Sequence, residues 1–200
     1  EPFSNLDPAL RVQVRADVRR VLESLGATAI FVTHDQEEAL SMSDTIAIMR
    51  DGRIVQMGTP RELYDSPVNR YVANFIGESN FFGGEIVEVE EANARVRTRT
   101  GIVLSGARRG AGDSLALGGA GVIAVRPEAI RIWAADQEPA APDTDVALRG
   151  RITNRIYLGD QTEFRIVTDR LGEILVRAPR GSESDLDALS PGDAAVVGWR

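Results

Sequence analysis

"TAIFVTHDQEEAL", Thr28 to Leu40, carries the only histidine of the 200-residue chain. Its first six residues form a nearly continuous apolar run rich in β-formers, the pattern of a strand buried on both faces in a helix-covered parallel sheet. Asp35 then caps a predicted short helix from Gln36. His34 stands between the two. In α/β proteins the C-terminal end of a central parallel strand is where ligand-contacting residues are placed. A histidine there can donate a charge-assisted hydrogen bond to a phosphate oxygen.

The flanking sequence extends this α/β reading over residues 1–78. Asp7 is placed to cap a helix with Pro8 at its first position. Leu10, Val14, Val18, Val21, Leu22 and Leu25 recur at helical spacing and predict one apolar face. Gly26 is placed to end that helix. "TIAIMRDGRIVQMG" sets two β-rich runs around Asp51-Gly52, a hairpin signal. Thr59, Pro60 and Glu62 form a capping box with proline at the first position, and a helix from there stops before Pro67. "NRYVANFIG" predicts a second short helix ending at Gly77. Glu37 and Glu38 read as a solvated helix face.

Near Glu78 the period changes. From 79 to 200 the chain alternates short strands with glycine-bearing turns, the pattern of a small β-barrel or sandwich. The polar, proline-bearing stretch 134–145 reads as a loop that divides this region into two β-subunits. Arg95, Arg97 and Arg99 alternate on one predicted exposed strand face.

Composition sets limits. The net charge is −7 and the pI about 4.9, which argues against nucleic acid as the main partner, because phosphate binding needs a basic surface. Cysteine is absent, which rules out disulfides and thiolate metal sites within these residues. One histidine cannot build a multi-histidine metal site. All basic residues are arginine, so these residues supply no phosphate-binding-loop lysine. "LSGA" at 104–107 and "GGAG" at 118–121 imitate nucleotide-binding motifs, but lack the residues that would complete them.

The opening "EPFSNLDP", the later "VTHDQEEAL", "MRDGRIVQMGTPRELYDSP" and "NRYVANFIGESNF" resemble, in that order, the ATPase subunits of ABC transporters. "VIAVRPEAIRI" and "GRITNRIYLGDQTEFRI" resemble the transport-associated OB (TOBE) region of importers for iron(III), polyamines or sugars. The resemblance implies an α/β part followed by an all-β part. Residues 1–78 would be the C-terminal part of a P-loop nucleotide-binding domain, and 79–200 an OB-like TOBE regulatory region. It implies that Glu1 polarises or positions the attacking water and that His34 senses the γ-phosphate of ATP. Ser4, Asn5, Leu6 and Asp7 would form the D-loop at a dimer seam. ATP and Mg2+ would serve the parent subunit. Its partners would be a second copy, transmembrane permease subunits and a solute-binding protein, and it would lie in the cytoplasm against the inner face of the membrane. The phosphate-binding loop, Q-loop and signature are not among these residues, so the chain alone is expected to be catalytically inactive. The alternative is a small-ligand-sensing or dimerisation module without catalysis.

Overall fold

A computed structural model describes residues 7–108, 115–136, 145–181 and 186–200. They form two compact units, one running to Gly77 and the other starting at Glu78.

In the first unit, α1 (Pro8–Leu25) starts as expected: the Asp7 carboxylate accepts from the Leu10 N–H at 3.0 Å. It ends at Gly26, whose φ of 59° is a left-handed conformation that lets Ala27 N–H reach the Leu22 carbonyl. The predicted apolar face is only partly covered. Val14, Val18 and Leu22 are half-buried, whereas Leu10, Val21 and Leu25 are exposed. Among the described side chains of α1, the buried one is Arg15.

The strand expected at Thr28–Thr33 is not formed. The segment has no ladder partner among the described residues, and Ile30 and Val32 are 91% and 79% exposed. A strand exists only through its neighbours, because its backbone bonds are all inter-strand. An apolar run with no adjacent strand therefore stays irregular. The parallel α/β sheet read from this run is accordingly absent from the described residues.

Downstream, local signals are followed closely. The helix α2 (Gln36–Met42) is capped by Asp35. Strands β1 (Ile46–Arg50) and β2 (Arg53–Gly58) pair antiparallel, with Asp51 and Gly52 at φ 50° and 75° in the turn. Positive φ at both central residues matches the right-handed twist of the hairpin. The helix α3 (Pro60–Asp65) has the complete capping box, and α4 (Arg70–Ile76) is capped by Asn69. Ile46, Ile48, Leu63, Val72 and Ile76 form the small core of this unit. Gln56 fastens the link between the helices, donating to the Ser66 carbonyl and accepting from Val68 N–H at 3.0 and 2.9 Å.

The second unit is all antiparallel β. Strands β3 (Asn80–Val89), β4 (Asn93–Thr98), β5 (Val103–Ala107) and β6 (Ala120–Val125) form a four-stranded sheet in the order β5-β4-β3-β6. Strands β7 (Arg131–Ala134), β8 (Val146–Tyr157), β9 (Gln161–Thr168), β10 (Gly172–Pro179) and β11 (Ala194–Trp199) form a five-stranded sheet in the order β10-β9-β8-β11-β7. One core joins the sheets, from Phe82 and Leu104 to Phe164, Ile166, Ile174 and Trp199, with the Phe82 and Trp199 rings stacked at 5.5 Å. On β4, Ala94, Val96 and Thr98 are buried and Arg95 and Arg97 exposed, the alternation of a one-sided sheet.

The change of sheet falls at Arg126–Ile130, not at the 134–145 loop. Strands β7 and β8 flank that loop, yet both pair with β11 in one sheet. The loop thus connects two strands of one sheet rather than two β-subunits; residues 137–144 themselves lie outside the described residues. Where the β-region begins, Asn80 is buried and its side chain mimics a strand residue. Its Oδ1 accepts from Leu175 N–H and its Nδ2 donates to the Leu175 carbonyl, both at 2.8 Å. Arg126 donates to Ser79 Oγ at 2.8 Å and Arg177 pairs with Glu78, so residues 78–80 are tied to the β-unit from three sides.

Candidate functional site

Glu1, Ser4, Asn5 and Leu6 lie outside the described residues. Asp7 and His34 are described. Asp7 caps α1, and His34 occupies the exposed bend between the irregular Thr28–Thr33 segment and α2.

The bend is built by its neighbours. Thr33 Oγ1 donates to Glu38 Oε2 at 2.7 Å and accepts from Asp35 N–H at 3.0 Å. Asp35 Oδ1 accepts from the N–H groups of Glu37 and Glu38 at 2.9 and 3.1 Å, closing the first turn of α2. The residues on either side of His34 are thus both held by side-chain bonds.

Arg15 completes the arrangement from α1. One of its Nη atoms lies 3.0 Å from Asp35 Oδ2 and 3.2 Å from Glu38 Oε1, and the other lies 3.6 Å from Glu37. Arg11 also approaches Asp35, at 3.6 Å. Arg15 and Glu38 are each only 6% exposed. This corrects the expectation of a solvated acidic face: Glu37 is exposed, but Glu38 is a buried partner of Arg15 and Thr33. A carboxylate and a guanidinium tolerate such burial only together, since removing one partner of a buried pair costs about 3–5 kcal/mol.

Asp35 feels opposing influences. Burial, the largest, pushes its carboxyl upward. The Glu38 N–H, the Arg15 charge, the Glu37 N–H and the Arg11 charge together outweigh it, and the group is held below the ordinary 3.8. It therefore remains a carboxylate, as a helix cap facing two arginines requires.

Arg15 and the burial of Glu38 escaped the sequence reading. An arginine on a helix and a glutamate in an acidic run are both exposed by default. The available signal was the spacing of Arg11 and Arg15, one turn apart on the same helix face, which offers two cations to one acidic cap.

Comparison with known proteins gives the relatives of the chain. Over 84% of its length the chain is 41% identical to an Fe(3+) ions import ATP-binding protein of Rhizobium etli, covering 44% of that protein. Over its full length it is 37% identical to a spermidine/putrescine import ATP-binding protein of Rubrobacter xylanophilus, covering 50% of it. A spermidine/putrescine import ATP-binding protein of Ruegeria pomeroyi is 41% identical over 98% of the chain, with 52% of that protein covered. The chain is a homologue of ABC importer ATP-binding subunits. Residues 123–200, the larger part of the all-β unit, match the TOBE domain. The chain spans about half the length of the curated relatives it matches. A solved structure of the cytoplasmic molybdate-binding protein ModG, with molybdate bound, is 16% identical and covers 60% of this chain and 89% of its own; at a TM-score of 0.49 it carries no argument.

Proposed function

We propose that the chain is the C-terminal part of the ATPase subunit of an ABC importer, coupling ATP binding and hydrolysis to solute uptake. One observation carries this reading: importer ATP-binding proteins align with 84–100% of the chain, one of them over its full length and so across the His34 bend. Residues 1–78 are then the end of the nucleotide-binding domain, and 79–200 the TOBE regulatory region. Thr28–Thr33 becomes a sheet strand when the rest of that domain supplies its neighbours.

In this reading Glu1 polarises or positions the attacking water, and His34 holds the γ-phosphate in line with it. Phosphoryl transfer depends on positioning and charge stabilisation, to which an oriented imidazole can contribute. Ser4, Asn5, Leu6 and Asp7 lie at the seam with a second copy. ATP is the substrate of the parent subunit. Mg2+ would accompany the ATP phosphates in the parent subunit; among the described residues there is no group of three or more metal-ligating side chains. The parent works with permease subunits and a solute-binding protein from the cytoplasmic face of the membrane. Among the described residues no helix is long and apolar enough to cross a membrane.

These residues contain no phosphate-binding loop, whose backbone N–H groups and lysine cradle the phosphates. Calorimetric titration of the chain with Mg-ATP is therefore expected to give no binding up to millimolar nucleotide. Micromolar binding, or hydrolysis by the chain alone, would overturn the assignment of the phosphate cradle to residues outside it.

A further inference from the structure

We infer that Arg15 is the positioning residue for His34: it clamps Asp35 and Glu38, and through them sets the backbone on which the imidazole is presented. For its functional meaning the inference rests on the phosphate-facing role proposed for His34; the clamp itself does not.

The geometry carries it. The bend around His34 has two internal ties, Thr33 to Glu38 and Asp35 to the first turn of α2. Both end on carboxylates that Arg15 contacts, at 3.0 and 3.2 Å. Glu38 is divided between them: Oε2 accepts from Thr33 while Oε1 accepts from Arg15. Asp35 is divided in the same way, Oδ1 serving the helix N–H groups and Oδ2 the guanidinium. Each carboxylate thus links Arg15 to the local bonds of the bend. A planar guanidinium can bridge two acceptors at fixed angles, which a lysine ammonium cannot reproduce. Arg15 comes from α1, twenty residues upstream. It is the one nearly buried residue of that helix's described side chains, while the apolar face of α1 remains partly open. Burying this arginine, instead of an apolar residue of the same helix such as the exposed Val21, makes physical sense if its task is to hold the far side of the bend.

The test uses the chain as it is. His34 is the sole histidine, so isotope-labelled histidine gives a single imidazole signal by NMR. Arg15→Lys keeps the charge and loses the bridge. It is expected to move the His34 signal and to speed hydrogen exchange at the Glu37 and Glu38 amides about tenfold, with the β1–β2 hairpin still protected. Arg61→Ala, which breaks only an exposed pair with Asp65, is expected to change neither. An Arg15→Lys chain that melts earlier but keeps the native His34 signal would make Arg15 merely structural and overturn the inference. Should Arg15→Lys fail to fold, Glu38→Gln carries the same test, because it keeps the shape and one acceptor oxygen. It is expected to shift the His34 signal, and an unmoved signal overturns the inference. No nucleotide enters any arm, so failure here is distinguishable from failure of the ATPase reading.

Discussion

The two units are held together differently. The β-unit closes around one apolar core in which Phe164, Ile166, Ile174, Val176 and Val197 have no exposed surface. The first unit has a small core under its hairpin, and its α1–α2 portion is joined by charge: Arg15 and Arg11 to Asp35, Arg15 to Glu38, Arg19 to Asp44 and to the Ser41 carbonyl. Apolar burial is non-directional and scales with area. Ion pairs and their hydrogen bonds demand fixed angles and fixed protonation. The unit made by area is suited to be a stable module. The unit made by angles is suited to hold one side chain in place.

The largest effect that sharpens this contrast is expected from Phe164→Ala. Deleting a wholly buried phenylalanine should cost about 3–5 kcal/mol. Trp133 and Trp199 both belong to the β-unit, so their fluorescence during denaturation reports that loss directly. A loss below about 1 kcal/mol would mean the core is not the principal support of the β-unit.

Acid should act on the first unit. Asp35 is held below its ordinary 3.8, so its contribution is present above that value and fades as pH falls through the depressed one. Glu62 behaves likewise: the Thr59 N–H and hydroxyl hold it below the ordinary 4.5. Protection of the first turns of α2 and α3 against hydrogen exchange, taken relative to the intrinsic rate at each pH, is therefore expected to fall as pH drops below about 4, and to stay flat between 5 and 7 where both are carboxylates. Protection that persists in acid would mean the charge network is dispensable.

The smallest effect is expected from Thr59→Ala. It removes the hydroxyl that accepts from Glu62 N–H at 3.2 Å and should cost about 1 kcal/mol, read as faster exchange in α3 alone. Spread of the effect to α1 would break the separation between local caps and the long-range clamp.

What proved legible in the sequence was local. The caps at Asp7, Asp35 and Thr59, the turn at Asp51-Gly52, and the alternation along β4 each depend on residues a few positions apart. His34 was singled out because it follows an apolar run and precedes a capped helix, which is also a local pattern. The misreadings were not local. "TAIFVT" has strand chemistry, but no strand pairs with it among the described residues. The 134–145 loop looked like a divider, yet β7 returns to pair with β11, some sixty residues away.

The residues alone thus determined where helices begin, where the hairpin turns and which region is β. Propensity, capping and periodicity act within one turn or one strand, and are written in neighbouring letters. Only the tertiary structure decided that β7 joins the five-stranded sheet, that Asn80 completes a bond pattern with Leu175, and that Arg15 and Glu38 are buried together beneath the His34 bend. A charge can be buried only against its partner, and that partner is brought near by the path of the chain rather than by its place in the sequence.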